Sequence, residues 1–174
     1  MFRQESTVVV AEYPEQGSGF RRFFESDYER MFHTLFLACG NREEAEDFVQ
    51  EAMARAFERW EQVQAAQSPT SYVYKIAFNL LRRRRRRDAL ARRLLRREVE
   101  AEDPTADVER RALLVEALKA LPLTQREVVV LVYWRGMTSE EAANILGIKP
   151  GAVRARLHRG RDALRRLLGG DHES

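Results

Sequence analysis

The sequence predicts an all-α chain made of two small helical domains joined by a flexible linker. Three observations carry this. Apolar residues recur every three or four positions through most of the chain, the period of a helix with one buried face. Capping residues stand where these stripes begin, and Gly or Pro where they end. Between the halves lies an acidic segment containing Asp103-Pro104, where no stripe continues. The 174 residues leave room for a core in each half, and 44% apolar content is enough to fill them.

Residues 1–19 carry no sustained period and end in Gln16-Gly17-Ser18-Gly19, so they read as a flexible tail. The first domain is expected over 20–89. Phe20, Phe23, Phe24, Tyr28, Met31, Phe32, Leu35 and Phe36 give the first helix, with Gly40 as its stop. Asn41 is placed to cap the second, whose first turn holds Glu43 and Glu44 and whose stripe runs from Ala45 to Trp60. Its opposite side is acidic. A loop is expected from Glu61 to Ser68. Ser68-Pro69 then opens a third helix, through Tyr72, Val73, Ile76, Ala77, Leu80 and Leu81 into six consecutive arginines, Arg82 to Arg87.

Residues 90–107 are the expected linker, 108–168 the second domain and 169–174 a short tail. Val108 to Leu121 reads as a helix ended by Pro122. Thr124-Gln125-Arg126-Glu127 has the pattern of a capping box, and a Val- and Leu-rich helix follows to Trp134. Thr138-Ser139-Glu140-Glu141 is a second box, opening a short helix that ends at Gly147. Lys149-Pro150 starts the last helix, with Val153, Leu157, Gly160, Leu164 and Leu167 or Leu168 expected to face the core.

Charge is segregated along the chain although the net value is only +3. Arg82 to Arg97 holds ten Arg and one Asp, Glu98 to Glu109 six acids and no base, and Lys149 to Arg166 seven bases and one acid. Such blocks mark places where a polyanion is met. Nearly all the bases are Arg, whose fork suits phosphate and guanine. Several classes are excluded. The lone Cys39 cannot build a disulfide framework, sits in an apolar stretch and reads as a buried small hydrophobe. The longest apolar run, 128–134, is far short of the ~20 residues of a spanning helix, so no membrane insertion is expected. With a polar start to the chain, the cytoplasm is the expected location. A metal cluster from His33, Glu43, Glu44, Glu46 and Asp47 lacks Glu-x-x-His spacing. With no phosphate loop or nucleophile motif either, no enzyme, metal or cofactor is expected.

A short helix, a glycine turn and a longer basic helix form the helix-turn-helix pattern. On the last helix, Gly151 and Ala155 are small enough to let the backbone approach a major groove. Arg154, His158 and Arg159 are placed for base edges or phosphates, and Lys149, Arg156 and Arg161 for the DNA backbone. The alternative is a solvated Arg face.

Two blocks carry a specific resemblance. Ala120 to Glu127 with Gly136 to Ile148, and Gly151 to Leu164, look like region 4 of the extracytoplasmic-function sigma factors, the small promoter-specificity subunits of bacterial RNA polymerase. That resemblance implies that the last helix reads the −35 promoter element. Glu44 to Ala52 is similar to the region 2 helix that docks on the polymerase clamp, which implies core-polymerase contacts by Glu46, Asp47, Gln50 and Glu51. Pro69 to Leu80 resembles the helix that opens and reads the −10 element, with aromatics to stack on bases and bases to hold phosphates. The implied set is Tyr72, Tyr74, Lys75, Asn79, Arg82 and Arg83, and the loop at 61–68 would hold a flipped base. Tyr72 stands where the family usually has Trp, Arg83 where Asp is common, and the Arg run is unusually long. These departures imply an altered −10 preference and stronger nonspecific phosphate binding. The implied partners are core RNA polymerase, promoter DNA and an anti-sigma factor, with the linker threading the RNA-exit path. A stand-alone helix-turn-helix regulator is the competing reading, resting on the second half alone.

Overall fold

The computed structural model describes residues 16–92 and 106–169. Most of the expected N-terminal tail, the middle of the linker with Leu94, Leu95 and Asp103-Pro104, and residues 170–174 lie outside the described residues. Every element among the described residues is helical. In order they are α1 (Gln16–Cys39), α2 (Arg42–Glu58), α3 (Trp60–Ala65), α4 (Pro69–Arg92), α5 (Ala106–Ala120) and α6 (Leu123–Val129). A π-helical stretch (Val130–Trp134), α7 (Ser139–Leu146) and α8 (Pro150–Gly169) complete them.

Local chemistry sets most of the ends. The Asn41 side chain accepts a hydrogen bond from the Glu44 amide at 2.9 Å and opens α2. Ser68 caps α4 through the Ser71 amide at 3.2 Å. Thr138 and Glu141 form the reciprocal box that starts α7. Gly147 ends α7 at φ +62°, a left-handed conformation that a Cβ would strain.

Four expectations are corrected. Helix α1 begins at Gln16, not Phe20, and Gly19 in its first turn fits under the Trp60 indole, where a Cβ would lie 3.1 Å from Nε1. Phe20 and Phe23 pack on the same ring, each with centroids 5.5 Å from it. The segment 61–68 is not one loop: the chain breaks at Arg59, Trp60 opens α3, and only 66–68 are non-helical. The Thr124–Glu127 box does not form. Pro122 stands at the N-cap of α6 with no side-chain cap, and Glu127 is fully buried elsewhere. Finally, Leu167 and Leu168 are about half exposed rather than core.

Helices α1, α2 and α4 form the first domain, with Met31, Leu35, Val49, Ala52, Phe78 and Leu81 in its centre. Helices α6, α7 and α8 form the helix-turn-helix end, where Ala142, Ala143 and Val153 are buried so that α7 and α8 pack closely. Gly160 belongs to the same fit, since a Cβ there would lie 2.8 Å from Val129 Cγ2. The two domains do not stand apart. Val128, Leu131, Ile145 and Leu146 join one continuous apolar cluster with the first domain, and α7 packs along α4.

Candidate nucleic-acid interface

Three faces hold the candidate residues. The first is on α8. Val153 is fully buried, which turns Gly151, Arg154, Ala155, His158 and Arg159 to solvent on the opposite side. Lys149 is exposed in the turn before the helix. Arg156 and Arg161 are only partly exposed. The groups that can reach a groove are therefore held by weak, surface-screened partners: Arg154 lies 3.8 Å from Glu140, and His158 Nδ1 lies 3.0 Å from Asp162. Arg156 instead borders a cleft between the domains, beside Arg82, Glu127 and Leu146.

The second face is on α4. Tyr72, Lys75 and Asn79 follow one another at spacings of three and four and share one side of the helix. Lys75 and Asn79 are exposed and Tyr72 half-buried. They line a cleft closed on its far side by Glu140, Glu141 and Asn144 of α7. Tyr74 is a correction. It is fully buried, its hydroxyl 3.2 Å from Thr34 Oγ1 and its ring under the Arg135 guanidinium at 5.4 Å, so it cannot stack on a strand. Burial pushes its phenol above the usual value.

The six arginines divide by helical position. Arg82 Nε and Nη2 each donate to Glu127 at 2.9 Å, and Nη1 donates to the Leu146 carbonyl. Burial raises the Glu127 pKa, and the hydrogen bonds and charge of Arg82 oppose that rise. Arg85, one turn on, donates to Glu44 at 2.7 Å and to the Cys39 carbonyl at 2.9 Å. Arg84 pairs with Asp88 on its own helix at 3.3 Å. Arg83, Arg86 and Arg87 are exposed and line a groove against α2.

The third face is on α2, across that groove. Asp47, Gln50 and Glu51 are exposed, and Glu46 is partly so. Glu46 pairs with Arg42 at 3.1 Å and Glu51 with Arg55 at 2.7 Å, both one turn apart. No sequence motif marks Glu140, Glu141 and Asn144 as neighbours of α4, or singles out Arg126. Arg126 donates to the carbonyls of Ala38 (3.1 Å), Lys119 (2.7 Å) and Leu121 (3.0 Å). No local pattern announces such long-range partners.

Among the described residues no cluster of three or more His, Cys, Asp or Glu is placed to hold a metal ion, and no helix is long and apolar enough to cross a membrane.

Comparison with known proteins agrees with this division. Residues 23–90 match the family described as Sigma-70 region 2, and residues 111–164 match Sigma-70, region 4. The chain is 35% identical over 129 residues to the RNA polymerase sigma-E factor of Streptomyces antibioticus, covering 72% of this chain and 71% of that one. It is 29% identical over 168 residues to the ECF RNA polymerase sigma factor SigM of Mycobacterium tuberculosis, covering 96% and 86%. The fold is similar to that of the sigma factor RpoE solved with the anti-sigma factor NepR from Bartonella quintana. The TM-score is 0.73 at 23% identity, with 89% of this chain and 99% of that chain covered.

Proposed function

Because the chain belongs to the extracytoplasmic-function sigma factors of the sigma-70 family, we propose that it divides the reading of a promoter between its two domains. It is a promoter-specificity subunit that binds core RNA polymerase and directs transcription initiation. The observation that carries the division is a pair of faces: an exposed basic one, with small residues at its centre, on α8, and one bearing Tyr72, Lys75 and Asn79 on α4 that lines a cleft.

Helix α8 takes the −35 element. Gly151 and Ala155 let it lie deep in the major groove, Arg154, His158 and Arg159 meet base edges or phosphates, and Lys149, Arg156 and Arg161 steady the backbone. Helix α4 takes the −10 element. Tyr72 offers a face for stacking, Asn79 a base contact, and Lys75, Arg82 and Arg83 charge for the strand. Residues 66–68, between α3 and α4, are the place for a flipped base. Glu46, Asp47, Gln50 and Glu51 on α2 dock on the polymerase clamp, where a basic or polar helix complements them.

The chain works by binding and positioning, in the cytoplasm where the polymerase is found. An anti-sigma factor is a further proposed partner, supported by the solved relative that carries one. The functional units are the first domain from about Phe20 to Ala89 and the second from about Val108 to Leu168. A stand-alone regulator leaves the first-domain match without a role.

The test is to mix the purified chain with bacterial core polymerase, follow co-elution, and transcribe a genomic promoter library. Co-elution with selective initiation is expected. DNA binding by the chain alone, with no co-elution, would overturn the proposal.

A further inference from the structure

Arg86 of α4 and Arg156 of α8 belong to different domains and open onto one cleft of about 460 Å³. That volume lies within the roughly 300–1,000 Å³ of small-molecule sites. The charge of the cleft does not balance. Arg82 is taken by Glu127, and Arg85 by Glu44, with Asp88 3.7 Å away. Arg86 and Arg156 line the same walls, and neither has an ion-pair partner among the described residues. The charge of Arg156 reaches Glu127, but that carboxylate already accepts two bonds from Arg82. Arg126 adds a further cation close by: burial, and then the charge of Arg85, lower its pKa. The cleft therefore keeps a surplus of positive charge beside the buried Leu146, where solvent screens it less than on an open face.

We propose that this cleft binds a phosphate chain, the di- or triphosphate of a nucleotide or of inorganic polyphosphate, gripped by Arg86 from one domain and Arg156 from the other. A guanidinium fork matches the oxygens of a phosphate group. Two open forks on separate helices suit a ligand with two or more charged groups better than a single small anion. Thr124 is exposed on the same cleft and makes no hydrogen bond among the described residues, so its hydroxyl is a further donor. Leu123 and Ile148 are partly exposed beside it and offer apolar surface to a nucleoside. The Arg82–Glu127 pair stays as it is, so binding leaves no lone buried charge. Neither Arg86 nor Thr124 belongs to the promoter-reading faces. Arg156 does, on the reading of α8 as the −35 helix, and there a bound phosphate and the DNA backbone are alternatives.

The test titrates the full chain with inorganic tripolyphosphate by calorimetry at physiological ionic strength. Neither DNA nor polymerase is present, so the result does not depend on the promoter-reading assignment. One ligand per chain is expected. Arg86→Ala and Arg156→Ala should each weaken it about 10-fold, the loss of a charge-assisted hydrogen bond. Arg87→Ala and Arg166→Ala, exposed and outside the cleft, should change it less than about 2-fold. All four variants remove one cation, so a diffuse attraction to the arginines would fall equally in each. Equal losses, several ligands per chain or no saturable binding would overturn the site. Arg86 is exposed, so its variant keeps the test decisive even if Arg156→Ala unfolds. Adenosine triphosphate without magnesium is titrated alongside. Tighter binding than tripolyphosphate gives the apolar residues to a nucleoside, equal binding restricts recognition to the phosphates, and either result upholds the site.

Discussion

The hydroxyls of Thr34 on α1 and Tyr74 on α4 meet at 3.2 Å inside the first domain, with both residues fully buried. Thr34 Oγ1 donates to the Arg30 carbonyl at 2.6 Å, so its one proton is in use and Tyr74 is the donor to it. Tyr74→Phe therefore removes a donor and leaves Thr34 partnered. The loss of stability is expected to be about 0.5–1.5 kcal/mol, read by denaturant unfolding. Transcription should stay at the wild-type level. Tyr72→Ala, on the half-open face, is expected to impair promoter opening. If Tyr74→Phe abolished opening while the fold stayed intact, the buried placement of Tyr74 would be wrong.

Arg126 ties the ends of α1 and α5 to α6 through three carbonyls. Arg126→Met keeps much of the stem's packing and removes all three bonds. Carbonyls left without a donor in a part-buried seam are costly, and a loss of about 2–4 kcal/mol is expected. Urea unfolding gives the number, and a change under ~0.5 kcal/mol would show that water replaces the guanidinium easily.

On the DNA side, Arg154→Ala or Arg159→Ala should weaken the −35 contact by about 1–3 kcal/mol, seen as reduced transcription from a −35-dependent promoter. Asn79→Ala should impair opening more than closed binding, and permanganate reactivity of the melted strand separates the two. Normal transcription by both α8 variants would mean that α8 is turned the wrong way. Permanganate footprints of unchanged strength would remove Asn79 from the reading set.

Cys39 is buried at the end of α1, where its thiol donates to the Asn41 carbonyl at 3.1 Å. Burial pushes its pKa from 9.0 up to about 11. At pH 8 the native chain should hold about 100-fold less thiolate than an unfolded one, since each unit of pKa is tenfold. Iodoacetamide is expected to label it slowly in the native chain and rapidly in guanidinium. The sign for stability follows from the raised value: the native state holds the proton more tightly. That contribution is present below pH 9 and is lost as the pH rises towards 11. Fast labelling of the folded chain would contradict this burial.

Much of the architecture was legible because it is locally encoded. The Asn41, Ser68 and Thr138 caps, the Gly147 stop and the buried stripe through Val153 each depend on residues within a turn or two. The basic face of α8 followed from that stripe, since whatever lies opposite a buried Val153 must face water. Local patterning is thus enough to specify an all-helical chain, its helix-turn-helix and the two-faced helices α4 and α8.

Tertiary structure decided what each polar side chain does with that frame. Thr124 and Glu127 have the spacing of a cap, yet Glu127 is buried against Arg82, 45 residues away. Tyr72 and Tyr74 sit two positions apart on one helix, which puts them on nearly opposite sides. Only the packing of α1 on α4 settles which one is sealed inside. Six identical arginines carry no internal mark either. Arg82 and Arg85 turn inwards because Glu127 and Glu44 wait there, and Arg83, Arg86 and Arg87 stay in the groove facing α2. A charge pair across a domain seam depends on where distant helices come together, and a sequence window carries no signal for that position.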